Sequence, residues 1–162
     1  MKLTLSGAIE SAFLCVVGIT KKSKRDDPMT PAENTNAIPL LLVEDHALLN
    51  LEMERELTDA GYTIVTATDG AKALAELNMD SNKFKGLITD VNIGKGPSGW
   101  DVARRLRERM PNVPVVYITG DNASEWTSRG VPNSILLQKP FAPGQLTTAI
   151  SQLLNRISSD IV

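Results

Sequence analysis

Several residue types are scarce in this 162-residue chain. It has one cysteine, Cys15, and one histidine, His46. A lone thiol closes no internal disulfide, and neither residue has a Cys or His neighbour at metal-ligand spacing. A disulfide scaffold and a thiolate or imidazole metal site are therefore excluded, and a reducing, cytoplasmic setting is expected. Aromatic residues make up only 4% of the chain, and there is no excess of positive charge: 17 Lys and Arg face 19 Asp and Glu. With the basic residues scattered among acids, no stripe is available to hold nucleic acid. Long hydrophobic runs are also missing. The longest, Ala12 to Ile19, is too short to span a bilayer, so no membrane partner is expected.

What is present is one domain's worth of apolar sequence behind a polar leader. The segment Ala8 to Ile19 has a thin basic start, an early Glu10 and no small-residue cleavage pattern, so it reads as a loosely docked helix or a start-site artefact rather than a secretory signal. From Thr20 to Ala37 the chain is polar and broken by prolines, a flexible linker by composition. Residues 1–37 are thus expected to be a weakly structured extension, with Met29 a natural start for the folded part, and residues 158–162 a short tail.

Between these, residues 38–157 alternate two periodicities. Leu40 to Val43, Tyr62 to Ala67, Gly86 to Val91, Val113 to Ile118 and Ser134 to Leu137 read as strands. Helical patterns fill Ala47 to Ala60, Ala71 to Met79 behind an Asp69 cap, Ser98 or Gly99 to Met110, Asn122 to Arg129, and Pro143 to Ile157. Five β-α units with right-handed crossovers give a parallel, doubly wound α/β sheet with helices on both faces, which is why the strands are nearly unbroken apolar runs.

Polar residues then recur at the C-terminal strand ends: Glu44 and Asp45 after the first strand, Asp90 on the third, Thr119 after the fourth and Lys139 after the fifth. Open parallel sheets place their chemistry at that edge. Three carboxylates there suit a hard divalent cation, a hydroxyl can donate to an anion, and an ammonium offsets charge. A phosphoryl group held on Asp90 would use all of them.

With Leu-Leu-Val-Glu-Asp, Leu-Ile-Thr-Asp, Val-Tyr-Ile-Thr-Gly and Gln-Lys-Pro-Phe in that order, the sequence resembles the receiver domain of two-component response regulators from about Ile38 to Ile157. The resemblance implies a flavodoxin-like five-stranded sheet of order 2-1-3-4-5. It implies Asp90 as the phosphoacceptor, with Glu44, Asp45, Asp90 and the carbonyl of Asn92 holding Mg2+. Thr119 would meet a phosphoryl oxygen, and Lys139 would pair with Asp90 or its phosphoryl group. No turnover enzyme is implied, only self-phosphorylation on aspartate and slow autodephosphorylation. The phosphoryl donor would be a histidine kinase or histidine phosphotransfer protein, and the signal would pass to a downstream protein partner. Pro140 resembles the family's cis position after the lysine.

Two features depart from the family pattern. The loop after Asp90 lacks the usual proline, carries Lys95, and has Pro97 later; Leu136 stands where a tyrosine or phenylalanine usually reports the threonine's movement. Coupling is therefore expected through the short helix from Asn122 to Arg129. A stand-alone receiver is the expectation, against a phosphorylation-independent receiver-like module or a small Mg2+-dependent phosphatase. His46 reads as a solvent-facing loop residue, Gly94 to Gly99 as a turn without phosphate-loop spacing, and Arg104, Arg105, Arg107 and Arg109 as a solvated surface.

Overall fold

The computed structural model describes residues 37–159. The expectations for the leader and the linker lie outside the described residues, apart from Ala37, as do those for most of the short tail.

Five parallel strands form one sheet in the order β2-β1-β3-β4-β5, as the resemblance implies. The strands are β1 (Ile38–Val43), β2 (Tyr62–Ala67), β3 (Gly86–Asp90), β4 (Val115–Thr119) and β5 (Ile135–Gln138), and the helices are α1 (Ala47–Asp59), α2 (Gly70–Asp80), α3 (Gly99–Arg109), α4 (Trp126–Arg129) and α5 (Pro143–Ser159). A 3-10 turn, Ala123–Glu125, leads into α4. The last helix runs two residues past the expected domain end at Ile157.

Successive strand side chains point to opposite faces, so each apolar strand serves two cores. Leu40, Leu42, Ile88, Val116 and Ile118 pack against Met53, Leu57, Leu146, Ile150 and Leu153 of α1 and α5. Leu41, Val43, Leu87, Val115 and Tyr117 face Ala73, Leu77, Trp100, Val102 and Leu106 of α2 and α3. β4 begins two residues later than its apolar run suggests. Pro114 has no N–H to give a ladder, although its carbonyl still accepts from Leu87 N at 2.9 Å. β5 begins one residue later as well, because the Ser134 hydroxyl is committed to the preceding turn, donating to the Val131 carbonyl at 2.6 Å.

Helix starts follow local side chains. Asp69 accepts from Lys72 N at 2.8 Å at the start of α2. Ser98 and Asp101 form a reciprocal capping box on α3. His46 is exposed, but it is more than a loop residue: its Nδ1 accepts from Leu49 N at 3.4 Å and caps α1. The arginines of α3 also divide. Arg104 and Arg105 are exposed and pair with Asp101 and Glu108, whereas Arg107 and Arg109 fold back onto Pro111, Leu77 and Asn78.

Register brings the strand ends level. Val43 lies beside Thr89, Asp90 beside Ile118, and Thr119 beside Gln138. Glu44, Asp90, Thr119 and Lys139 therefore emerge at one edge of the sheet.

Candidate functional site

Asp90 ends a fully buried strand and is itself only 6% exposed. Its carboxylate is held at both oxygens. Asn92 N donates to Oδ1 at 2.8 Å, and Lys139 Nζ donates to Oδ2 at 2.5 Å. The same ammonium reaches Glu44 Oε2 at 3.1 Å, so Lys139 bridges two carboxylates from neighbouring strands. The Lys139–Pro140 peptide is cis.

Glu44 is 1% exposed. Its Oε1 accepts from His46 N at 3.0 Å, and its backbone carbonyl accepts from Asn50 Nδ2 at 3.0 Å. Burial pushes the Glu44 carboxyl above its usual range; the His46 N–H and Lys139 oppose that push, and the charge of Asp90 adds to it. For Lys139, burial alone acts downward, but the hydrogen bonds and charges of Asp90 and Glu44 hold the ammonium above its ordinary value.

Thr119 is fully buried, and its Oγ1 accepts from Asn122 N at 2.9 Å. That bond uses the hydroxyl as an acceptor, so its hydrogen remains available to donate. Asn122 also accepts from Asn92 Nδ2 at 3.2 Å through Oδ1 and donates to Glu125 Oε1 at 2.9 Å. It thus ties the loop after Asp90 to the turn before α4.

Asp45 is exposed beside this cluster, on a shallow depression of about 410 Å³ that it shares with Glu44, Asp90, Lys139 and the α1 residues Leu48 and Glu52. Among the described residues no three His, Cys, Asp or Glu side chains stand as a ready-made metal cluster. The cation between Glu44 and Asp90 is the Lys139 ammonium. The donor types nevertheless fit a hard divalent ion: all are oxygens, and one of them, on Glu44, is a desolvated carboxylate whose charge is held at a cost.

Two supporting residues escape the strand-end motifs. Asn50 is buried on the α1 face that carries Met53 and Leu57, and a polar residue at that 3-4 spacing was the available signal for it. Asn122, three residues beyond Thr119, had only its turn-forming chemistry to mark it.

The loop between Asp90 and α3 is tightly seated. A Cβ added at Gly99 would run into the Asp90 carbonyl oxygen, and one added at Gly70, at the start of α2, would run into the carbonyl oxygen of Pro97. Glycine is required at both by close approach of backbone.

A family model described as response regulator receiver domain matches residues 40–151. A crystal structure of a response regulator receiver protein from Sinorhizobium medicae has a TM-score of 0.72 and 48% sequence identity, covering 74% of this chain and 96% of that one. The sensor protein EvgS of Escherichia coli K12 is 31% identical over 136 residues, 83% of this chain but 11% of EvgS. The receiver domain of a Pseudomonas aeruginosa sensor histidine kinase, solved with a magnesium ion coordinated in its active-site cleft, shares the fold with a TM-score of 0.62 at 20% identity, over 74% of this chain and 98% of that one. The chain spans half or less of the length of the first curated relatives it matches.

Proposed function

The chain belongs to the response regulator receiver family, and on that premise we propose that it takes a phosphoryl group onto Asp90 from a phosphohistidine of a histidine kinase or histidine phosphotransfer protein. The observation that carries this reading is the Lys139 ammonium bridging Asp90 and Glu44, with Thr119 buried on the next strand.

The chemistry asks the protein for position and charge balance. A carboxylate oxygen of Asp90 forms the new O–P bond as the P–N bond to the donor imidazole breaks, and the imidazole leaves with the electron pair and takes up a proton. Asn92 N fixes one carboxylate oxygen during this exchange. Lys139 follows the negative charge from the carboxylate to the phosphoryl oxygens. Thr119 donates its free hydroxyl hydrogen to one of those oxygens. Glu44, Asp45, Asp90 and the Asn92 carbonyl would hold Mg2+, which when bound offsets the charge shared by carboxylate and phosphoryl group.

Leu48, 61% exposed at the depression, and Leu51, 61% exposed one turn further along α1, give a donor protein an apolar surface to meet. No described helix is long and apolar enough to cross a membrane; a cytoplasmic place beside its kinase suits the reading. The signal then passes to a downstream protein partner. The protein is not a turnover enzyme: it phosphorylates itself and loses the group slowly to water.

Incubation with acetyl phosphate and Mg2+, followed by intact-mass measurement, tests this. One added phosphoryl group is expected, and none when the cation is chelated beforehand or in Asp90→Asn. Labelling of Asp90→Asn at the wild-type level would refute the assignment.

A further inference from the structure

Asn50 is 8% exposed, on the face of α1 that carries Met53 and Leu57 into the core. A leucine at that spacing would complete the apolar stripe, so a buried amide there calls for a compensating hydrogen bond. The bond it makes runs out of the helix, from Nδ2 to the Glu44 carbonyl at 3.0 Å. That oxygen belongs to neither β1 nor α1, and Asn50 supplies its donor.

The carbonyl of Glu44 and the N–H of Asp45 share one planar peptide. Holding the oxygen therefore fixes ψ of Glu44 and φ of Asp45 together, and with them the directions in which the two acidic side chains leave the backbone. For Glu44 this is one tie among several. Its N–H donates to the Ala67 carbonyl at 3.1 Å, and its carboxylate is held by His46 N and Lys139 Nζ. Asp45 has less to hold it. Its exposed carboxylate makes no hydrogen bond or ion pair among the described residues, so its place at the depression rests on its backbone.

The groups that orient a metal's ligands matter nearly as much as the ligands, and losing one ordinarily weakens metal binding by about 10–100-fold. We propose that Asn50 is a positioning residue for the divalent cation: by fastening the Glu44–Asp45 peptide to α1, it presents both carboxylates to an ion beside Asp90. The inference rests on the reading of Asp90 as a Mg2+-dependent phosphoacceptor. Asn50 bonds to neither carboxylate, so removing it leaves the number and type of ligand oxygens intact and alters only their placement. A plain staple between helix and loop would affect stability alone.

The test is an NMR titration of the full chain with MgCl2 at constant ionic strength, without a phosphoryl donor, on wild type, Asn50→Leu and Asn50→Ala. The two variants remove the Nδ2 donor by different routes, one keeping the side-chain volume and one reducing it. Mg2+ is expected to bind each about tenfold more weakly. With acetyl phosphate added, the Mg2+ concentration for half-maximal labelling should rise to match, while the rate at saturating Mg2+ stays near that of wild type. Ile150→Val thins the same core from α5 without touching Glu44, and should lower Tm yet keep wild-type affinity. By linkage, Mg2+ should in turn protect the Asn50 Nδ2 hydrogens of the wild-type chain from exchange. Wild-type affinity in a folded Asn50 variant, equal weakening in Ile150→Val, or Asn50 side-chain exchange that Mg2+ leaves unchanged would overturn the role given to Asn50. A wild-type chain that takes no phosphoryl group onto Asp90 with Mg2+ would instead refute the reading of Asp90, and this inference with it.

Discussion

Replacing Lys139 by methionine keeps an apolar stem and removes only the ammonium. Glu44 and Asp90 then face each other with side chains 1% and 8% exposed and no cation between them. Deleting one partner of a fully buried ion pair costs about 3–5 kcal/mol. Lys139 is 28% exposed, so water screens part of the loss, and about 2 kcal/mol is the expected penalty near neutral pH. For a domain of this size that corresponds to a fall in Tm of about 6–10 °C. The pH dependence fixes the cause. Glu44 already titrates above its ordinary 4.5 through burial, and losing Lys139 removes two of the influences that hold it down. A carboxyl whose folded pKa exceeds its unfolded value binds its proton more tightly when folded, so its charge penalises the fold above the folded pKa and the penalty fades as pH falls toward 4.5. The gap in Tm between Lys139→Met and wild type should therefore shrink steadily from about pH 8 to about pH 5. Lys139 itself cannot mimic this, because its raised pKa withdraws stability only at alkaline pH, above its ordinary 10.5. Thermal melts by circular dichroism across that range read the effect directly. A gap below about 2 °C at pH 8, or one that widens on acidification, would refute the account of the bridge.

Three further outcomes are expected. Gly99→Ala should lower Tm and slow phosphorylation by acetyl phosphate together, since the new methyl must displace the Asp90 carbonyl; unchanged labelling kinetics would show that the loop yields freely. Tyr117→Phe strips the hydroxyl that accepts from the buried Val131 N at 3.2 Å and should cost about 1–3 kcal/mol in urea melts, with no loss of labelling at Asp90. Beryllofluoride with Mg2+ should change amide exchange chiefly over Gly120 to Val131 and Lys139 to Phe141, with little change at Leu136; protection unchanged over Gly120 to Val131 would place the signal's exit elsewhere.

Much of this molecule was legible because its strands are buried on both faces. β1, β3 and β4 had to be continuous apolar runs, and runs ending in Glu44, Asp90 and Thr119 show where the edge of the sheet lies. Caps were equally visible at Asp69 and Ser98, whose side chains act on N–H groups three residues away. What the sequence hid was one unusual cap and the pairings at long range. His46 looked like a bare loop residue because histidine is an uncommon cap. The arginines of α3 looked alike, yet Arg109 reaches Leu77, 32 positions back, and Arg107 turns to the Pro111 carbonyl beyond the helix end. Periodicity along one helix carries no information about the neighbour a long side chain will find. Asn92 and Asn122 are 30 positions apart and meet only because β3 and β4 are neighbours.

The loop from Val91 to Ser98 is fastened at its ends and open in its middle. Its close backbone contacts are at Gly99 and Gly70, while Gly94, Lys95 and Gly96 are exposed. Drift in the sequence therefore has unequal freedom along these few residues. A single added methyl at Gly99 is transmitted to Asp90, whereas substitution of the exposed Lys95 leaves the reacting carboxylate where it is. The missing proline and the added Lys95 fall in that outer part, which is how an unusual loop and an intact strand-end cluster coexist in one chain. For an engineer, the same division marks Lys95 as the place to graft charge or bulk that will greet an incoming protein, between two glycines, Gly94 and Gly96, whose positive φ side chains rarely adopt.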